Sequence, residues 1–173
     1  MGFRVEVILA STTFALAGCA TSTTLAPADR AALADSVRAF GAAMVATIDR
    51  HDVDGFIAFH HDGPDFAWAT FGGMTPLDSH FVSMKKYFPS DQGKNVRFKL
   101  GESRVHVIDR NAAVLTGIIH STNVDAAGRP TTGHEAWSIV VQRIAGEWKV
   151  VQAHESYPRA PAAPSADSTK QPD

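Results

Sequence analysis

The chain reads as an α+β domain: three helices in its first half, then long antiparallel strands forming a curved sheet, with the helices packed on its concave face. Three observations predict this. Leu33, Val37, Phe40, Met44, Val45 and Ile48 recur mostly at spacings of three and four residues, the period of one helix face. From Asn95 onward apolar residues alternate instead, as in Val96, Phe98 and Leu100, the period of a half-buried strand. The stretch His134 to Tyr157 is broken only at Ala145-Gly146, a two-residue link of hairpin type. Helices early and hairpins late put the helices on one face of an antiparallel sheet. A sheet bent by bulges beneath such a roof encloses a conical interior.

At 173 residues, 45% hydrophobic and with a net charge of -2, the sequence suits one domain once its ends are set aside. Acidic and basic residues are interleaved, so no basic stripe indicates nucleic acid and no acidic block indicates a tail-binding partner. The ends differ from the middle. Arg4 precedes an apolar run through Val7, Leu9, Phe14 and Leu16, too short to span a bilayer comfortably but of signal-peptide proportions. Leu16-Ala17-Gly18-Cys19 resembles the lipobox of bacterial lipoproteins. The resemblance implies cleavage before Cys19, acylation of Cys19, and an outer-membrane anchor facing the periplasm, since Ala20 follows the cysteine. Residues 1–18 then form the signal peptide, 19–28 a lipidated tether, 29–157 the domain, and 158–173 a Pro/Ala/Ser-rich disordered tail. Cys19 is the single cysteine, so no internal disulfide forms.

Taken in order, Asp29 caps a first helix running to about Arg50. Asp52 caps a shorter one carrying Val53, Phe56, Ile57 and Phe59, which Gly63-Pro64 ends. Asp65 to Thr70 alternates Phe66 and Trp68 as a short strand, and Gly72-Gly73 is a turn. Thr75-Pro76 opens a third helix with Leu77, Phe81, Met84 and Phe88 on its apolar face. Four strands follow, with a bulge or bend at Gly101. With the two-residue hairpin loop, Arg143 faces Trp148, Val141 faces Val150, Ile139 faces Gln152, Trp137 faces His154 and Glu135 faces Ser156, all on one face. That face starts apolar at the turn and ends ionisable.

Phe66-Ala67-Trp68, Ala113-Val114-Leu115-Thr116-Gly117 and Gly146-Glu147-Trp148-Lys149-Val150, leading to His154 and Ser156, resemble the nuclear-transport-factor-2-like superfamily in their order and spacing. Within it they resemble the SnoaL-like proteins. The resemblance covers Asp29 to Tyr157 and implies a cone-shaped pocket. It does not imply one activity, because this fold hosts enzymes, binding modules and assembly modules.

Glu135 and His154 are the catalytic candidates. A carboxylate beside an imidazole raises its pKa and orients it as a general base; the competing reading is that His154 bonds Ser156 or backbone and finishes the core. Trp68, Trp137, Gln152 and His120 are the ligand-binding candidates, with the two indoles equally suited to the core and the inward parity of His120 open. His60-His61-Asp62 reads as exposed polar loop, and no metal or cofactor is expected, since no zinc-type spacing or phosphate loop occurs. Three functions stand at this point: binding of a small, partly apolar molecule, acid–base catalysis through His154, and homodimerisation through an outer sheet face holding Ala136, Ser138, Val140, Val151 and Ala153.

Overall fold

A computed structural model describes residues 25–125 and 127–158. Within them the chain runs α1 (Pro27–Asp49), α2 (Val53–Ile57), β1 (Ala67–Thr70), β2 (Gly73–Thr75), α3 (Leu77–Tyr87), β3 (Arg97–Val107), β4 (Ala112–Val124), β5 (Pro130–Ile144) and β6 (Glu147–Ser156). Asp52 caps α2 as its sequence position predicts, its carboxylate accepting the Gly55 amide at 2.8 Å. α1 begins two residues ahead of Asp29, which sits in its first turn. Thr75 makes no cap; Pro76 takes that position without a side-chain bond.

The sheet order is β2-β1-β6-β5-β4-β3. Every neighbouring pair is antiparallel except β1 with β6, so the α+β expectation holds while the sheet is mixed rather than wholly antiparallel. β1 and β6 are far apart in sequence, so no hairpin dictates their direction. The expected turn at Gly72-Gly73 is centred instead on Phe71 and Gly72, both at positive φ, and Gly73 already belongs to the short returning strand β2.

α1 is long and apolar enough to cross a bilayer by length and composition, yet its buried stripe packs on the sheet. Val37, Met44, Val45 and Ile48 join Leu115, Ile139, Val141 and Val150 in one core cluster. Gly41 brings the helix close, since a Cβ there would lie 2.8 Å from Leu115 Cδ1. Each large apolar side chain buried in this layer contributes about 1.5–3 kcal/mol. A second layer is aromatic: Phe56 of α2 sits 6.2 Å from both Phe81 and Trp137, with Trp68 alongside at 6.3 Å.

Two bulges shape the sheet. One falls in β3 between Leu100 and Ser103, where Gly101 predicts it. The other lies in β6 and overturns the expected register. The hairpin closes on Ala145 and Gly146, both at positive φ, and pairs Arg143 with Trp148 and Val141 with Val150 as expected. Then Val140 pairs with Gln152, leaving Val151 as the extra residue. Beyond it Ile139 faces Ala153, Ser138 faces His154 and Trp137 faces Glu155. Because side chains alternate, one inserted residue moves the rest of the strand to opposite sides. Trp137 is buried inside while His154 and Gln152 are exposed on the outer face, and Ala153, expected outside, is 2% exposed in the core.

Candidate functional site

At the end of the sheet where β4 stops and β5 begins, the inner face is not filled. A cavity of about 750 Å³ lies between this end and α3. α3 contributes His80, Ser83, Met84 and Tyr87; the β1–β2 hairpin contributes Thr70, Phe71 and Thr75. The strands supply Phe98, Ser121, Asn123, Thr131, Thr132, Gly133 and Glu135, and Tyr157 closes the far side. Small polar residues on β4 and β5 stand where large apolar ones fill the other end of the sheet, which leaves the space open.

Glu135 and Tyr157 line this hollow, and Tyr157 connects it to the buried Glu155. Glu155 is only 5% exposed; its Oε2 accepts from the Tyr157 hydroxyl at 2.9 Å and from Thr70 Oγ1 at 3.1 Å. Glu135 Oε1 accepts the Trp137 indole N–H at 2.8 Å. Since Trp137 pairs with Glu155, Glu135 sits diagonally across from it, within reach for long side chains. Burial, reinforced by the negative charge of Glu155, pushes the Glu135 carboxyl up to about 7, against the opposing hydrogen bonds of Tyr157 and Trp137. Burial also raises Glu155, opposed by Tyr157, Thr70 and Trp68. Burial and the adjacent carboxylates hold the Tyr157 phenol above its ordinary value, so it stays a donor.

The nearby imidazoles are neutral at pH 7. His80 stacks on Trp68 with ring centres 3.8 Å apart, and burial pulls it down to about 4. His60 is 8% exposed rather than a loop residue, and burial likewise lowers it to about 4. Its Nδ1 lies 2.9 Å from the Phe56 carbonyl, which can only accept, so Nδ1 carries the proton. Trp68 Nε1 is buried beside Glu155 and completes no hydrogen bond of good geometry. The arrangement can exchange a proton near neutrality and can set a carboxylate beside a cation; no lysine or arginine lines the cavity. Among the described residues no cluster is suited to a metal ion.

Of the residues singled out from sequence, Glu135 lines this cavity. Trp68 and Trp137 are buried in the core, 1% and 5% exposed, and are not among the residues that line the cavity. His154, Gln152 and His120 are exposed on the outer face, where the His120 ring occupies the space over Gly101; a Cβ at Gly101 would lie 2.5 Å from Nε2. The Glu135–His154 pair is therefore not formed: the Val151 bulge turns His154 away and brings Glu155 to the inner side. Glu155, Tyr157, Thr70 and His80 were missed. The available signal was the doublet Val150-Val151, where the apolar phase shifts from even to odd positions and Ala153 and Glu155 follow inward. Cys19 lies outside the described residues.

The profile of the calcium/calmodulin dependent protein kinase II association domain matches residues 35–159, most of the chain. The chain belongs to this association domain family. Among solved structures, the association domain of this kinase from C. elegans is 18% identical with a TM-score of 0.62, over 75% of this chain and 98% of that one. The hub homology domain from Chlamydamonas reinhardtii is 20% identical, TM-score 0.62, over 73% and 98%. A nuclear-transport-factor-2-like protein of unknown function from Pseudomonas putida KT2440 is 18% identical, TM-score 0.62, over 82% and 98%. At these identities the structures establish a shared fold, the cone-like α+β fold predicted from the strand and helix order. No curated protein matches the sequence significantly.

Proposed function

We propose that this association domain binds a small, partly apolar molecule in its cavity, the reading that the SnoaL-like resemblance of its sequence implies. One observation carries the reading: the inner sheet face ends in a hollow of about 750 Å³ lined by Glu135, hydroxyl groups and aromatic side chains, where a purely structural domain would be packed. Volumes of about 300–1,000 Å³ with apolar walls and a few convergent polar groups are those of ligand sites. Binding of the neutral dye N-phenyl-1-naphthylamine, followed by fluorescence, tests it. Ser83→Trp, made from α3, should fill the hollow and abolish dye enhancement, with Thr131→Trp as an independent variant from β5. A parent chain that gives no enhancement, or folded variants that both retain it, would remove the reading.

Family membership favours a second role, self-association, since the structural relatives are named as association and hub domains. The surface offered is the outer face of β4 and β5, where Val114, Ile118, Ala136, Ser138 and Val140 lie at least partly exposed and uncharged. Val140→Arg should reduce the mass measured by light scattering; a parent chain monomeric at high concentration would count against assembly. The lipobox-like Leu16-Ala17-Gly18-Cys19 supports anchoring of the domain to a bacterial envelope. Cys19→Ser should then release it from the membrane fraction, and an unchanged distribution would oppose the anchor.

A further inference from the structure

We propose that the cavity selects an organic cation, an ammonium group carried on a partly apolar body, as its ligand. The inference rests on the ligand-binding reading above and names the chemistry of that ligand. The Glu135 carboxyl lines the cavity, the buried Glu155 carboxyl lies close enough to act on it, and no lysine or arginine side chain lines the space. The donors around them suit anions. Tyr157 and Thr70 both donate to Glu155, and Trp137 donates to Glu135. The buried N–H of Trp68 also lies beside Glu155, without completing a hydrogen bond of good geometry. These hydrogen bonds favour the ionised form of each acid against the burial that raises it, and at pH 8 Glu135 puts a negative charge on the cavity wall. A buried anion needs a partner charge, and the protein around this site offers none: His80 from α3 and His60 behind it are neutral, and the remaining polar wall is hydroxyl and amide. The missing positive charge is therefore assigned to the ligand. The aromatic walls agree, because Tyr157 stacks on the exposed Phe71 at 4.5 Å beside the acids, and such faces attract ammonium groups.

Competition against the bound dye with benzylamine, benzyl alcohol and benzoate, on the full chain at pH 8, tests the charge preference with the apolar body held constant. Benzylamine should displace dye about tenfold more effectively than the alcohol, a difference of about 1.4 kcal/mol, with benzoate weakest. Glu135→Gln should lose most of the preference for benzylamine over benzyl alcohol. Equal or better displacement by the alcohol or benzoate, with the dye still bound by the parent chain, overturns the cation assignment and leaves the cavity reading standing. A parent chain that fails to bind the dye overturns both. The probe series on the parent chain decides the matter even if Glu135→Gln folds poorly.

Discussion

The inner face of the sheet has two ends built from the same strands, and they do different things. On the turn side of Val151, Val141, Val150 and Ala113 are fully buried beneath α1. On the far side, the same alternation delivers Glu135 and Gly133 to the wall of a hollow beneath α3 and buries Glu155 on the same face. Strand periodicity decides which side a residue faces; the roof above it decides whether that position becomes core or cavity wall. α1 carries four large apolar residues into the sheet, whereas α3 turns His80, Ser83 and Met84 toward open space.

Deleting Val151 is the most direct way to break this comparison. The uninterrupted register would carry Gln152 and His154 inward and push Ala153 and Glu155 out, putting polar side chains where the aromatic layer now packs. Damage of this kind belongs to the rare class that costs more than about 4 kcal/mol, a large share of the roughly 5–15 kcal/mol that holds a domain together. Loss of a cooperative thermal transition is the expected result. A deletion variant melting within a few degrees of the parent would mean that the bulge does not set the inner face.

That residue also marks what was legible from sequence. The helix stripe of α1, the Asp52 cap, the Gly101 bulge and the Ala145-Gly146 loop all follow from local chemistry, and all are present. The acid pair was half legible. Glu135 lies on β5, which has no bulge against β6's turn end, so its parity could be counted; Glu155 lies beyond an insertion that depends on tertiary packing. Alternation carried past Val151 without a shift selects His154, and the error is one residue in register. The parallel β1–β6 contact was not legible either, because it joins segments with no turn between them.

A moderate effect should come from removing the ionisable group at the hollow end. Burial raises Glu135 to about 7, above its unfolded value near 4.5. The folded state therefore binds more protons between these values, and the associated stability is full below the unfolded pKa and lost as pH rises through about 7. Glu135→Gln should match the parent near pH 4 and exceed it at pH 8 by about 1–2 kcal/mol, discounted for partial solvent contact. Urea titrations at the two pH values measure it. His60 and His80 act in the opposite sense, their lowered pKa values costing stability as pH falls below about 6.5, but they are common to both proteins and cancel in the difference. A Gln variant no more stable than the parent at pH 8 would show that the hollow is wetter than its geometry implies.

The smallest effect belongs to the residue that plain alternation favours. His154 pairs with Ser138 on β5 and Ala69 on β1, and its ring points to solvent on the outer face. Its influence on Glu155 is the weakest of the several that act on that acid, and it works through the sheet rather than by contact. Exposed positions of this kind usually shift stability by no more than about 0.5 kcal/mol. His154→Gln should therefore leave the melting temperature and dye affinity of the parent essentially unchanged. A tenfold loss of dye binding with the fold intact would place the imidazole inside the cone. That result would restore the unbroken register, remove Glu155 from the acid pair, and take with it the basis for expecting a cation there.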